Sequence, residues 1–392
     1  MRNIKDEPNL SQKKVLLRLD LNVPLNNGKI TDTTRIDKIL PTIKFLLKNN
    51  AKVIILSHIG RPKGKVIEEL SLKPICESLK NKLNQDIRLI SKNIKEVKSA
   101  DLFDTHNEKI VILENLRFYE EEEKNDNVFA EHLASLADIY VNDAFSCSHR
   151  AHASILEITK FISSYAGLQL SLEINALNKI TSEIQRPVTC IIGGSKISTK
   201  INIIKNLITK FDNIIIVGGM ANNILKYKGY EIGKSIQENN CDQIIEEIFF
   251  ISKKEKCKII YPEDVSVGKD LHGLPETREL DNISKDELIL DIGPKTIKII
   301  NQLIEESNTI LWNGPAGYFE NPSFSIGSIE IAKKIVEKNK NNTIYSVAGG
   351  GDTVAMLNNM GATNNFNFVS TAGGAFLEYL EGKELPGIKA LN

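Results

Sequence analysis

Two kinds of residue cluster stand out, and each implies a chemistry. In the second half, four glycine groups each follow a short apolar run: Gly193-Gly194-Ser195-Lys196, Gly218-Gly219-Met220, Gly349-Gly350-Gly351-Asp352-Thr353 and Ala372-Gly373-Gly374. Glycine beyond the carboxyl end of a strand lets the backbone approach an anion, and the N–H groups of the next helix point at it. One such pair would be an ordinary tight turn; four on one sheet edge imply a nucleotide phosphate site. Lys196 and Lys200 are four residues apart, and a helix is expected over 198–210 with Ser198 as its N-cap. Lys200 would then sit in the first turn, where it can reach a transferring phosphoryl group. Asp352, at an expected helix start, suits Mg²⁺, which binds through one or two carboxylates plus phosphate oxygens.

The first half carries arginines instead. Arg18, Asp20 and Asn22 run off the first apolar segment; in an extended strand they would share a face, and polar groups there need partners. His58-Ile-Gly60-Arg61 follows the second apolar run, Arg117 the third, and His149-Arg150-Ala-His152 the fourth. Arg35 is placed just before the first helix. Arginine binds phosphate and carboxylate bidentately, so this set reads as a pocket for a small anion. The chain has 50 basic and 50 acidic side chains, so the anion site is local and no nucleic-acid footprint is expected. His58, His149 and His152 have no carboxylate at ligand spacing, which argues against a histidine-bound metal. The run Glu120–Glu123 reads as a solvated loop or helix start.

The elements that must position these residues are legible as an alternation. Nearly continuous apolar runs at 13–20, 51–58, 109–114, 137–143, 188–192, 213–217, 257–261, 287–291, 308–312, 343–347 and 366–369 read as parallel strands covered on both faces. Amphipathic stretches lie between them. Pro41 is expected in the first turn of a helix reaching about residue 49, and 171–185 reads as a long helix. Repeated strand–helix units imply right-handed crossovers. The expected class is α/β, with two doubly wound parallel-sheet (Rossmann-like) domains joined by a helix hinge. The expected domains are 1–170, binding substrate, and 187–378, binding nucleotide. The helix 171–186 would join them, and 379–392 would return to the first.

Several classes are disfavoured. Gly229 to Ser235 resembles a P-loop but has three residues where four are required, and no G-x-G-x-x-G opens a strand–helix unit. A dehydrogenase is therefore disfavoured. Five scattered cysteines form no C-x-x-C pair, which argues against zinc and for a reducing compartment. No apolar run approaches the ~18 residues of a membrane span, and the first residues lack a signal-peptide core. A cytoplasmic protein is expected.

The sequence is similar to the phosphoglycerate kinase family. The matching strings are RLDLNVP (18–24), TDTTRI (31–36), SHIGRP (57–62), ENLRF (114–118), VNDAF (141–145), HRAHAS (149–154), GGSKISTK (193–200), GGMANN (218–223), KGYEIGKS (228–235), DIGPKTI (291–297), WNGPAGYFE (312–320), GGGDT (349–353) and STAGGAFLEYLEGK (370–383). The resemblance implies a monomeric two-domain kinase moving the acyl phosphate of 1,3-bisphosphoglycerate to Mg-ADP, giving 3-phosphoglycerate and Mg-ATP. It implies a place in glycolysis and gluconeogenesis, and in-line transfer after hinge closure. Asp20, Asn22, Arg35, His58, Gly60, Arg61, Arg117 and Arg150 would bind the glycerate substrate. Lys196, Lys200, Gly293, Asn313, Pro315, Glu320, Gly350, Gly351, Asp352 and Thr353 would bind nucleotide, with Arg35 and Lys200 catalytic and Asp352 on Mg²⁺. Ala316, Tyr318 and Ala372 stand where the family often has Met, Val and Gly, and Ser146-Cys147-Ser148 replaces a glycine-containing stretch. None of these departures removes a charged ligand. A regulatory protein using the same pockets without turnover is the alternative from another class.

Overall fold

The computed structural model describes residues 1–103, 108–341 and 343–392. The chain divides into two compact units: Met1–Asn175 with Glu384–Asn392, and Ala176–Lys383.

The first unit is built on strands β1 (Lys14–Leu19), β2 (Leu25–Asn26), β3 (Lys29–Ile30), β4 (Lys52–Leu56), β5 (Ile87–Ile90), β6 (Ile110–Leu113), β7 (Ile139–Asp143) and β8 (Ser164–Ala166). Six of them form a parallel sheet in the order β5-β6-β4-β1-β7-β8, and β2 and β3 form a small hairpin. Along β1, Val15, Leu17 and Leu19 enter one apolar cluster and Leu16 enters another on the opposite face. That double burial explains why the strands read as unbroken apolar runs. Helices α1 (Thr34–Lys48), α2 (Lys73–Leu83), α3 (Glu120–Glu123) and α4 (Asn127–Ala134) complete the layers. The chain order reverses at β1, which lies between β4 and β7, so a ligand crevice is expected beyond their carboxyl ends. Arg2 N–H donates to Leu391 O, Gly387 N–H to Ser148 O and Asn142 Nδ2 to Gly387 O, tying the segment after Lys383 into this unit.

Helix α5 (Leu168–Thr181) carries the chain from the first unit into the second. The second unit contains β9 (Val188–Ile192), β10 (Asn213–Ile216), β11 (Lys258–Ile260), β12 (Asp264–Gly268), β13 (Glu276–Glu279), β14 (Leu288–Ile292), β15 (Thr309–Asn313), β16 (Tyr345–Gly349) and β17 (Phe368–Ser370). A parallel sheet runs β11-β10-β9-β15-β16-β17, reversing at β9, and β13-β12-β14 form a separate antiparallel sheet. Its helices are α6 (Ile201–Ile208), α7 (Gly219–Tyr227), α8 (Asp242–Glu255), α9 (Pro294–Glu306), α10 (Ile326–Lys340), α11 (Gly351–Asn359) and α12 (Gly373–Leu380); α13 (Pro386–Lys389) lies in the returning segment.

Several local expectations are corrected. Helix α1 starts seven residues before Pro41, at Thr34, whose N–H donates to Asp32 Oδ1 at 2.7 Å. Arg35 is consequently inside the helix, not ahead of it. The expected helix 171–185 begins earlier and ends earlier, as α5. The helix expected over 198–210 is the shorter α6: Ser198 does not cap it, because its N–H and hydroxyl both bond Glu238, and Lys200 occupies the N-cap position. The run 287–291 falls in β14 of the antiparallel sheet, not in a parallel one. The strand expected over 13–20 stops at Leu19, so Arg18, Asp20 and Asn22 do not share one extended face.

Candidate active site

In the first unit the expected substrate residues gather at the carboxyl ends of β1, β4, β6 and β7. Asp20 Oδ1 accepts from Arg35 Nη1 at 3.0 Å, and the same nitrogen donates to Asn22 O at 3.1 Å. Asp20 Oδ2 accepts from Ser146 Oγ at 2.5 Å. Asn22 Oδ1 accepts from Gly60 N–H at 3.0 Å, and Arg117 Nη1 donates to Gly60 O at 2.8 Å. These bonds join the loops after β1, β4, β6 and β7 with the start of α1 into one network. Gly60 has φ +65° and lies against Leu70, so the turn that presents its two backbone groups needs glycine. Arg150 Nε donates to His149 Nε2 at 3.1 Å, and Arg61 is exposed.

Beneath this network lies Arg18, fully buried. Its Nε donates to Ser154 Oγ at 2.9 Å, its Nη1 to Leu19 O at 2.5 Å, and its Nη2 lies 3.0 Å from His58 Nδ1 and 3.8 Å from Cys147 Sγ. Ser154 passes the charge on, donating from Oγ and N–H to the two oxygens of Glu122 at 2.6 and 2.9 Å. Glu122 is buried, which corrects the reading of Glu120–Glu123 as a solvated run: one of the four acids is the remote partner of a buried arginine. Burial and then Arg18 hold His58 well below the usual histidine range, and the same two causes bring His152 to about 3.

In the second unit the glycine groups follow β9, β10, β16 and β17, all in one parallel sheet. Lys200 reaches back over the first loop: Nζ donates to Gly193 O at 2.5 Å and to Asn313 Oδ1 at 2.7 Å. Burial lowers its ammonium to about 8, although Cys190 and Asp352 favour the charge. Asn313 Nδ2 donates to Gly349 O at 2.7 Å, and Thr353 Oγ1 accepts from Gly314 N–H at 2.7 Å. These bonds lock the ends of β9, β15 and β16 together. Gly314 has φ +108°, and a Cβ there would lie 2.3 Å from Gly193 O, so no other residue fits.

Beside these loops is a cavity of about 520 Å³. Glycines 194, 218 and 219 and Asp352 line its polar end; Val265, Leu288 and Leu290 line its apolar side. That shape and mixture suit a base and ribose on the apolar wall and phosphates at the glycines. Pro315 and Glu320 also line it, as expected. Gly293 does not: it caps α9 and packs against Asp264. Asn313 and Thr353 lie behind the wall and hold the loops, Gly350 and Gly351 lie at the start of α11, and Lys196 is exposed. The P-loop-like stretch is not a phosphate loop. Gly233 pairs with Leu288 in the antiparallel sheet, and only Lys234 reaches the cavity wall.

Comparison with known proteins decides the family. The phosphoglycerate kinase family model matches residues 4–383. The chain belongs to the phosphoglycerate kinase family. A phosphoglycerate kinase of Wolbachia pipientis is 45% identical over 380 residues, covering 96% of each chain. One from Methylorubrum extorquens is 43% identical over 392 residues, covering 100% of this chain and 98% of the relative. The structure of phosphoglycerate kinase from Coxiella burnetii superposes with a TM-score of 0.91 at 40% identity, covering 98% of this chain and 97% of that one. The fold class and the assignment as a phosphotransferase follow from this membership.

Sequence reasoning grouped Arg18 with Asp20 and Asn22 but left it out of the substrate set, and it missed the partners Ser154 and Glu122 that hold it beneath the site. The signal was available in an arginine one residue from the end of an otherwise apolar strand, which needs a buried acceptor. It also missed the apolar wall contributed by β12 and β14, because their sheet was not expected.

Proposed function

We propose that the enzyme transfers the acyl phosphate of 1,3-bisphosphoglycerate to Mg-ADP, giving 3-phosphoglycerate and Mg-ATP, reversibly, as a cytoplasmic monomer in glycolysis and gluconeogenesis. The observation that carries the reading is Lys200, a partly desolvated ammonium held on Gly193 O and Asn313 Oδ1 at the joined ends of β9, β15 and β16. A lysine so placed exchanges two neutral acceptors for phosphoryl oxygens when nucleotide arrives.

Asp20, Asn22, Arg35, His58, Gly60, Arg61, Arg117 and Arg150 bind the glycerate substrate, and the nucleotide lies in the cavity beside Asp352. The acyl phosphate is a competent donor, so transfer requires positioning and charge stabilisation rather than a general base. Arg35, oriented by Asp20, and Lys200 stabilise the transferring group after hinge closure has excluded water. Among the described residues no group of three or more His, Cys, Asp or Glu is placed to hold a metal ion. Three carboxylates line the cavity: Asp291 accepts from Ile292 and Gly327 N–H, Glu320 lies at the rim, and Asp352, at the start of α11, fits Mg²⁺ arriving with its nucleotide. Asp352 would hold that ion, which supplies charge neutralisation of the phosphate oxygens.

The test is a coupled assay with 3-phosphoglycerate and Mg-ATP on wild type and Arg35→Ala. Turnover in the wild type with loss of about 100-fold or more in the variant is expected. Nucleotide binding without turnover in the wild type would favour a regulatory protein instead.

A further inference from the structure

The contact between Arg18 and His58 determines which hydrogen the imidazole carries. A guanidinium has only N–H donors. Its Nη2 lies 3.0 Å from His58 Nδ1, so Nδ1 must present its lone pair and the ring hydrogen must sit on Nε2. Turning the ring over would set a carbon against the guanidinium and discard the bond. We infer that Arg18 is a positioning residue that holds His58 as a neutral Nε2–H imidazole, making His58 a fixed hydrogen-bond donor to the substrate rather than a cation. The donor role rests on the substrate reading above; the tautomer does not.

Arg18 is well anchored for this task. Its Nε and Nη1 are committed to Ser154 and Leu19, which leaves the guanidinium plane one orientation and aims Nη2 at the ring. The cations around His58 are Arg18 from β1, Arg117 after β6 and Arg35 from α1, and His152 after β7, lowered to about 3, is uncharged near neutral pH. The acids nearby are engaged elsewhere, Asp20 with Arg35 and Ser146, and Glu122 with Ser154 and, at 3.8 Å, His152. Protonating His58 would bury another cation among these and force a donor against a donor. A neutral donor also keeps affinity for the anionic substrate from swinging with pH, as a titrating histidine would make it do.

Long-range ¹H–¹⁵N correlation spectra of the labelled wild type test this directly, with His58→Gln assigning the signal among the six histidines. The expected result is an unprotonated Nδ1 that does not titrate between about pH 5.5 and 8. A protonated Nδ1, or a midpoint inside that range, overturns the assignment. In Arg18→Met nothing holds the ring to the Nε2–H form, so its two nitrogen shifts should move toward a mixture of tautomers, while burial, Arg117 and Arg35 still oppose the charge. KM for 3-phosphoglycerate should then rise several-fold at neutral pH, because the imidazole no longer presents a fixed donor. An Nε2–H tautomer that persists unchanged in Arg18→Met overturns the role given to Arg18. If that variant does not fold, the wild-type spectrum alone decides the tautomer. Saturating 3-phosphoglycerate should shift the His58 Nε2–H signal. An unmoved signal overturns the donor role, and with it the placement of substrate at His58, while the tautomer stands on its own spectrum.

Discussion

Replacing Lys200 with Met should separate activity from stability. Methionine fills similar volume without charge or donors. Burial lowers the ammonium from its ordinary 10.5 to about 8, so keeping the charge in the folded protein costs on the order of 3 kcal/mol near neutral pH. The substitution removes that cost. It also strands Gly193 O and Asn313 Oδ1, which lose charged donors at 2.5 and 2.7 Å. At about 1.5 kcal/mol each, the two losses amount to roughly 3 kcal/mol. The terms offset, and Tm should move by less than about 5 °C. The charge at the transferring phosphoryl has no such offset; its loss should lower kcat by about 10²- to 10³-fold, with KM for ATP within a few-fold. Steady-state kinetics in the 3-phosphoglycerate direction and a thermal melt at pH 7 measure both. A kcat within about threefold of wild type would refute the role given to Lys200. A Tm loss beyond about 10 °C would refute the energetic balance.

Ser146→Gly removes the hydroxyl that fixes Asp20, and with it the orientation of Arg35; KM for 3-phosphoglycerate should rise roughly tenfold, equivalent to about 1.4 kcal/mol, with KM for ATP unchanged. Gly314→Ala forces a Cβ to within 2.3 Å of Gly193 O at φ +108°; a Tm loss and weaker ATP binding by calorimetry are expected, with strain of about 1–3 kcal/mol. Burial pushes the Asp143 carboxyl up to about 6 from 3.8, even though Thr42 Oγ1 and Leu170 N–H donate to it. Between these two values the folded state holds a proton that the unfolded state has released, so this group's contribution to stability falls as pH rises from about 4 to 6 and is flat above. Asp143→Asn, whose amide can donate to Thr42, should flatten that part of the profile in urea unfolding at pH 4.5 and 7; an unchanged profile would show that Asp143 is not the group responsible.

The parallel strands were legible because burial on both faces writes an unbroken apolar run, as Val53–Leu56 and Ile110–Leu113 show. The sites were legible because glycines and arginines cluster where those runs end. What was not legible depended on distant partners. Nothing local marks Glu122 as the buried member of four acids; its partner Ser154 lies thirty-two residues on. Ser198 is a good N-cap by type, but Glu238, forty residues away, claims it. The antiparallel sheet of β12, β13 and β14 was masked because β13 reads ETRE, charged throughout, and carries no apolar signal. The Leu25–Ile30 hairpin, absent from the expectations, could have been found: Asn27 and Gly28 both have positive φ, the turn that an Asn-Gly pair favours.

The first unit is not continuous in the chain. Its sheet is formed from residues before Asn175, yet Asn142 Nδ2, Ser148 O and Arg2 N–H each bond the returning segment, at Gly387 and Leu391. On the ribosome those partners are made after the whole of Ala176–Lys383. The nucleotide half can therefore finish folding while the glycerate half still lacks its last bonds. During synthesis the half with the arginine pocket begins first and is completed last.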